Sequence, residues 1–188
     1  NLIGAFRTRL DSIPNTVPYF QPDADEAAFF AKRLARFNGL KIGICWAGNP
    51  SLPRDAYRSI PQGSLTPLFE LNDVNLFSLQ KGVQSNFPKI HDWSGSFADM
   101  ASTAAFICNL DIVISVDSAV AHLSGALGKK IWLMNRFDSC WRWLEDTDSS
   151  PWYPTMKIFR QTSAGDWTEV IFQMCLELKA LIQSRLTK

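Results

Sequence analysis

Short apolar runs, each closed by small or polar residues, recur along most of this chain, and that texture leaves few folds open. The runs at 42–46, 76–79, 111–116 and 130–134 carry mostly Ile, Val, Leu and Phe, and 157–160 is a weaker fifth. Runs this short and β-branched read as strands buried in a parallel sheet. Helical patterns fall between them. Leu65, Leu68, Phe69 and Leu71 mark a short helix, 97–110 an alanine-rich one, and 118–127 another, with Gly128 placed to close it. The last helix is expected to open at Asp166 with Glu169 as its capping-box partner. Val170, Met174, Leu178 and Leu181 then form its buried stripe. Strands alternating with helices imply an α/β fold, a Rossmann-like parallel sheet flanked by helices.

A length of 188 residues suits one domain, or one domain with an attached arm. Residues 1–22 carry Pro14, Pro18 and Pro22 and read as an irregular arm or interdomain linker, leaving 23–188 as the domain. A helix follows the arm, capped by Asp23 or Asp25, apolar at Ala27, Phe30, Leu34 and Phe37, and ended by Gly39. The chain begins at Asn1 with no signal-like segment, so its start is expected to be a cut or unobserved boundary. The net charge of +1, with no basic run, argues against nucleic-acid or membrane-surface binding by bulk charge. No apolar run approaches the ~20 residues that span a bilayer. Cys45, Cys108, Cys140 and Cys175 lie far apart without CxxC spacing, which argues against structural zinc and a disulfide framework. Cys45 and Cys108 read as buried thiols, and a reducing, cytoplasmic compartment is expected.

Open parallel sheets bind ligands beyond the carboxyl ends of their strands. That rule selects Gly48-Asn49, Gln80-Lys81, Asp117-Ser118 and Asn135-Arg136. The stretch DIVISVDSAVAHLSGALGKK, residues 111–130, is the most informative. Its strand ends at Asp117 and a helix starts at once, so the N–H groups of Ser118, Ala119 and Val120 are expected to point free and to attract phosphate. His122, one turn on, could face the same ligand. The competing reading is a plain helix cap by Asp117 or Ser118, with His122 a satisfied surface or core residue. In GNPSLPRDAYRSIP, residues 48–61, Gly48 and Asn49 open a possible anion nest and Arg54 and Arg58 can supply charge. An ordinary solvated loop explains the same residues. Gln80 and Lys81 could contact a base, ribose or phosphate, or simply fray into solvent. The aromatic segments 140–144 and 150–154, with Trp132 and Trp167, read first as core and loop anchors. His91 and His122 are the only histidines, and no GxSxG, HExxH or Walker loop occurs. A GxG-type fingerprint is also absent, which counts against an ordinary NAD-dependent enzyme.

These residues resemble a known family. Residues 92–136 are similar to the C-terminal domain of the heptosyltransferase-like glycosyltransferases, family 9. That family shows a strand, then Asp-Thr-Gly-Pro-x-His, an alanine-rich helix and a Gly-Lys-Pro turn. The matching run here is Asp117-Ser118-Ala119-Val120-Ala121-His122, leading to Gly128-Lys129-Lys130. Ser96-Phe97-Ala98-Asp99-Met100 resembles the helix start upstream, and Arg58-Ser59-Ile60-Pro61 the basic-x-x-Pro element. A closer likeness, over roughly residues 10–183, is to the glycosyltransferase domain that follows tetratricopeptide repeats in bacterial proteins. It rests on Ile44-Cys45-Trp46-Ala47-Gly48-Asn49-Pro50, on Ser78-Leu79-Gln80-Lys81-Gly82 and on residues 148–154.

The resemblance implies the C-terminal half of a GT-B fold, which binds the donor nucleotide-diphosphate sugar and needs no metal or cofactor. The acceptor and the general base would belong to an N-terminal domain, with 1–22 as the linker to it. Carried over, Asp117, Ser118, Ala119, Val120 and His122 would lie at the donor phosphates, Arg58 would neutralise the diphosphate, and Gly48, Asn49, Gln80 and Lys81 would line the cleft. Ser118-Ala119-Val120 departs from Thr-Gly-Pro, and Lys130 from the usual Pro, which leaves hexosyl and heptosyl donors both open. The implied activity is glycosyl transfer. The alternatives are a degenerate nucleotide-binding or scaffold module without transfer, and an epimerase-like GT-B protein acting on nucleotide sugars.

Overall fold

Buried on both faces, the apolar runs pair side by side. In the computed structural model, which describes residues 2–82 and 85–187, they form one sheet of six strands. These are β1 (Leu40–Cys45), β2 (Val74–Ser78), β3 (Ile90–Asp92), β4 (Ile112–Val116), β5 (Ile131–Asn135) and β6 (Met156–Arg160). Every pairing between them is parallel, in the order β3-β2-β1-β4-β5-β6. That is the strand order of a dinucleotide-binding Rossmann sheet. The Rossmann-like α/β expectation is met.

Alternate side chains serve opposite faces, as a period of two requires. Ile131 and Leu133 of β5 join a core layer with Phe30, Phe77 and Phe106. Trp132 and Met134 join the opposite layer with Leu68, Val170 and Met174. The helices supplying these layers are α2 (Ala24–Leu34), α5 (Met100–Ile107) and α6 (Ala119–Ala126) on the first face. On the second lie α4 (Thr66–Phe69), entered through a 3-10 turn at Gln62–Leu65, and α7 (Thr168–Leu186). Two short helices, α1 (Leu2–Ala5) and α3 (Asp55–Arg58), lie outside these layers.

Several local expectations are corrected. β3 was not anticipated, because Ile-His-Asp is too short and polar to stand out, and it pairs only with β2 at the sheet edge. Asp23 caps α2 by accepting the Glu26 N–H at 2.8 Å. Gly39 does not end that helix, which stops at Leu34. At φ +80° it turns the chain into β1, where a Cβ would run into the Asp73 carbonyl. The capping box at α7 does not form either. Asp166 accepts the Thr168 N–H, Glu169 instead takes a hydrogen bond from Gln173, and buried Trp167 leads the helix in. The arm is not wholly irregular: it holds α1 and a 3-10 turn at Leu10–Ser12. It ends on α6, where Ala126 O accepts the N–H groups of Tyr19 and Phe20 at 3.0 and 3.3 Å. Asn1, the expected boundary, and Lys188 lie outside the described residues.

Phe106 is fully buried and its ring meets those of Phe30, Phe77, Trp93 and Phe97 at 5.0–5.7 Å. Truncation of Phe106 to alanine is expected to cost about 3–5 kcal/mol of stability. Urea denaturation of the two proteins measures it through the shift in midpoint at constant slope.

Candidate ligand cleft

The chain runs outward from β1 through β2 to β3, then returns to β4 on the other side of β1. The loops after β1 and β4 therefore lead off in opposite directions and leave a crevice between them. A cleft of about 550 Å³ opens there. Its walls come from the end of β1 (Cys45, Ala47 to Pro50), from Arg58, and from the segment after β2 (Leu79 to Gly82). Phe97, Met100 and Thr103 beside α5, and Ser118 to Val120 at the start of α6, complete it. A larger groove of about 730 Å³ lies between α4 and α7. It touches no strand end, so the smaller cleft is the better candidate.

At the start of α6 the helix is not capped by a side chain. Ser118 Oγ turns instead to Ser115 Oγ at 3.0 Å. Among the described residues, the N–H groups of Ala119 and Val120 have no hydrogen-bond partner, and both residues line the cleft. Free amides at a helix start, with the positive end of the helix dipole behind them, attract an anion.

Arg58 reaches the same space, held on two sides. Its Nε donates to Asp55 Oδ1 at 2.8 Å and its Nη1 to the Asp117 carbonyl at 2.9 Å. A Cβ at Gly48 would push the Asp55 carboxylate and the Arg58 guanidinium out of their places, so glycine there lets the pair sit against the backbone. The Asn49 side chain is spent on its own turn, accepting the Ser51 N–H at 3.0 Å. Gln80 is only 3% exposed and works as a brace: its Oε1 accepts the Ala47 N–H at 2.9 Å and lies 3.5 Å from Cys45 Sγ. Lys81 stands exposed at the rim.

Eight of the ten residues carried over from the family resemblance thus meet around one cleft: Gly48, Asn49, Arg58, Gln80, Lys81, Ser118, Ala119 and Val120. The side chains of Asp117 and His122 do not line it. His122 turns to the far side of α6, with Nδ1 3.0 Å from Tyr153 Oη and its ring stacked 5.3 Å from Trp143. Its Nε2 lies 3.9 Å from Asp117 Oδ1. Asp117 meets the cleft only through the carbonyl that holds Arg58. Arg54 is exposed outside the cleft walls, and Asn135 is buried, donating to Ser139 Oγ at 2.8 Å. The aromatic segments act as anchors in part: Trp132, Trp143, Tyr153 and Trp167 are buried, Trp141 stands exposed, and none lines the cleft.

Sequence reading missed Asp55, Ser59 and Cys45 as parts of this site. The spacing Asp55-x-x-Arg58, one helical turn, was the available signal. All four cysteines are free thiols; Cys45 is buried and Cys108 partly so. Burial pushes the Cys45 thiol above its ordinary value, so it stays protonated at the cleft floor. Among the described residues, no group of three His, Cys, Asp or Glu side chains is placed to hold a metal ion, and no helix is long and apolar enough to cross a membrane.

No protein-family model matches the chain. Protein FlbA of Caulobacter vibrioides is 24% identical over 191 residues, which cover 95% of this chain and 32% of FlbA. The solved structure of E. coli ADP-heptose lps heptosyltransferase II matches with a TM-score of 0.60 at 12% identity, over 93% of this chain and 57% of that one. The fold is glycosyltransferase-like. The chain spans about a third of FlbA and little more than half of the heptosyltransferase.

Burial lowers the imidazole pKa of His122; the Asp117 carboxylate opposes that shift and Arg142 adds to it. His91 is lowered as well, by burial first and by Arg36 second. Unfolded histidine titrates near pH ~6.5, so below that value the unfolded chain binds more protons than the folded one. Stability is therefore full above about pH 6.5 and falls as pH drops toward the folded-state values. Denaturation midpoints at pH 7.5 and 5.5 should show this loss, and His122→Gln should reduce it.

Proposed function

We propose that this chain is the donor-binding domain of a glycosyltransferase that moves a sugar from a nucleotide-diphosphate sugar to an acceptor. The observation that carries the reading is the convergence of the free Ala119 and Val120 amides with Arg58 in one cleft at the switch point of the sheet. The glycosyltransferase-like fold of the E. coli heptosyltransferase supports it. So does the residue likeness of 92–136 to the family 9 enzymes.

The acceptor oxygen attacks the anomeric carbon, the bond from that carbon to the diphosphate oxygen breaks, and the nucleoside diphosphate departs with the electron pair. The cleft's contribution is to the leaving group. Two amides and one guanidinium stabilise the negative charge that grows on the diphosphate as the bond lengthens. The apolar wall of Leu79, Phe97 and Met100 provides room for the nucleoside beside this polar end. Donor-phosphate contacts fall to Arg58, Ser118, Ala119 and Val120. Asp117 and His122 act from outside, one by holding Arg58 and the other by fixing the Tyr153 segment.

A general base must take the acceptor's proton, and among the described residues the cleft lining contains no carboxylate or imidazole. The base and the acceptor site are therefore assigned to a partner domain of the whole protein. The same observation suits a nucleotide-binding module without transfer activity, which turnover of a nucleotide sugar would exclude.

A thermal-shift panel of UDP, ADP, GDP, CDP and dTDP tests the reading. A ligand at 100 times its Kd adds about 2.7 kcal/mol, or roughly 5–10 °C in a domain of this size. One nucleotide should give that shift, and Arg58→Ala should weaken its binding roughly tenfold. Absence of any shift in the whole protein would overturn the donor assignment.

A further inference from the structure

Resting on the donor-binding reading, we infer that Asp55 is a positioning residue that aims Arg58 at the diphosphate. Asp55 is a carboxylate only 6% exposed, a rare environment for an aspartate unless every oxygen is used. Its two oxygens divide the work. Oδ1 accepts Arg58 Nε at 2.8 Å, and Oδ2 accepts the Ser59 hydroxyl at 2.7 Å. Ser59 Oγ in turn accepts the Gly48 N–H at 3.1 Å. One buried carboxylate thus ties the cation of the cleft to the Gly48 loop beside it.

The guanidinium is a planar fork whose donors keep fixed directions. With Nε on Asp55 and Nη1 on the Asp117 carbonyl, the plane of Arg58 is set and Nη2 is the donor left for a ligand. Among the described residues Nη2 has no hydrogen-bond partner, and Arg58 lines the cleft. The Asp117 carbonyl lies two residues before the first free amide of α6, so the same clamp ties the guanidinium to the chain that carries those amides. Asp55 touches no ligand itself. It is absent from the cleft walls and works only through Arg58, Ser59 and Gly48.

Charge and position make opposite demands at this residue, which makes the inference testable. Asp55→Asn raises the net positive charge beside the cleft by one. If Asp55 served only to offset Arg58, the substitution would tighten the binding of an anion. If it aims Arg58, binding weakens despite the added charge.

The experiment is calorimetric titration of the whole protein with UDP, ADP, GDP, CDP and dTDP, for wild type, Asp55→Asn, Asp55→Glu, Arg58→Ala and the Asp55→Asn/Arg58→Ala double variant. Thermal melts confirm that each is folded. Asp55→Asn should weaken the nucleoside diphosphate that wild type binds roughly tenfold. It should cause no further loss once Arg58 is alanine. Asp55→Glu, which keeps the charge but shifts it by one methylene, should weaken binding in the same direction and covers the case in which the asparagine variant does not fold. Unchanged or tighter binding by the Asp55 variants, or losses that add in the double variant, would overturn the positioning role while leaving the donor site standing. Wild-type protein that binds none of the five nucleotides would overturn both.

Discussion

The candidate site depends on the pairing of β1 with β2 on one side and β4 on the other. Because every pairing in the sheet is parallel, the carboxyl ends of these strands share one edge. Because the chain leaves β1 in one direction and later returns in the other, no crossover covers the gap between the ends of β1 and β4. The start of α6, the segment after β2 and the loop carrying Arg58 are then brought to that gap. A sheet wound in one direction only would place the same residues without a crevice between them.

Within the crevice, attraction for an anion comes from fixed groups rather than from bulk charge. The chain as a whole carries only +1. Ser118 withholds its side chain from the helix start, and the amides of Ala119 and Val120 stay unpaired among the described residues. Arg58 is restrained on two sides, so its donors are oriented before any ligand arrives. Preorganised donors of this kind gain more from a growing negative charge than mobile surface cations do, since nothing must reorganise as the charge appears. The partly exposed Arg58 still feels solvent screening, so the two amides beside it carry part of the task.

Much of this was legible in the residues, for identifiable reasons. The buried strands announced themselves because a sheet covered on both faces needs near-continuous apolar runs, and 112–116, broken only by Ser115, and 131–134 have them. β3 was invisible because a three-residue edge strand needs neither length nor apolar character. Ser118 to Val120 were found because a strand end that opens a helix points to a ligand site, and Arg58 as a charge in the loop after β1 and through the family resemblance. Asp55 was missed because a lone aspartate in a Pro- and Arg-containing loop looks solvated until the fold buries it. His122 was expected at the ligand because one helical turn separates it from Ser118. Sequence spacing could not show that Tyr153 and Trp143 draw its ring to the other side of α6.

The central claim is that an anion sits on the free amides of α6. The direct measurement is a nitrogen–proton NMR titration of the protein with the nucleoside diphosphate that it binds. The account predicts the largest amide shifts at Ala119 and Val120, with Gly48 and the Arg58 side chain following at the same ligand concentrations. Shifts confined to the groove between α4 and α7, with the α6 amides unmoved, would contradict it.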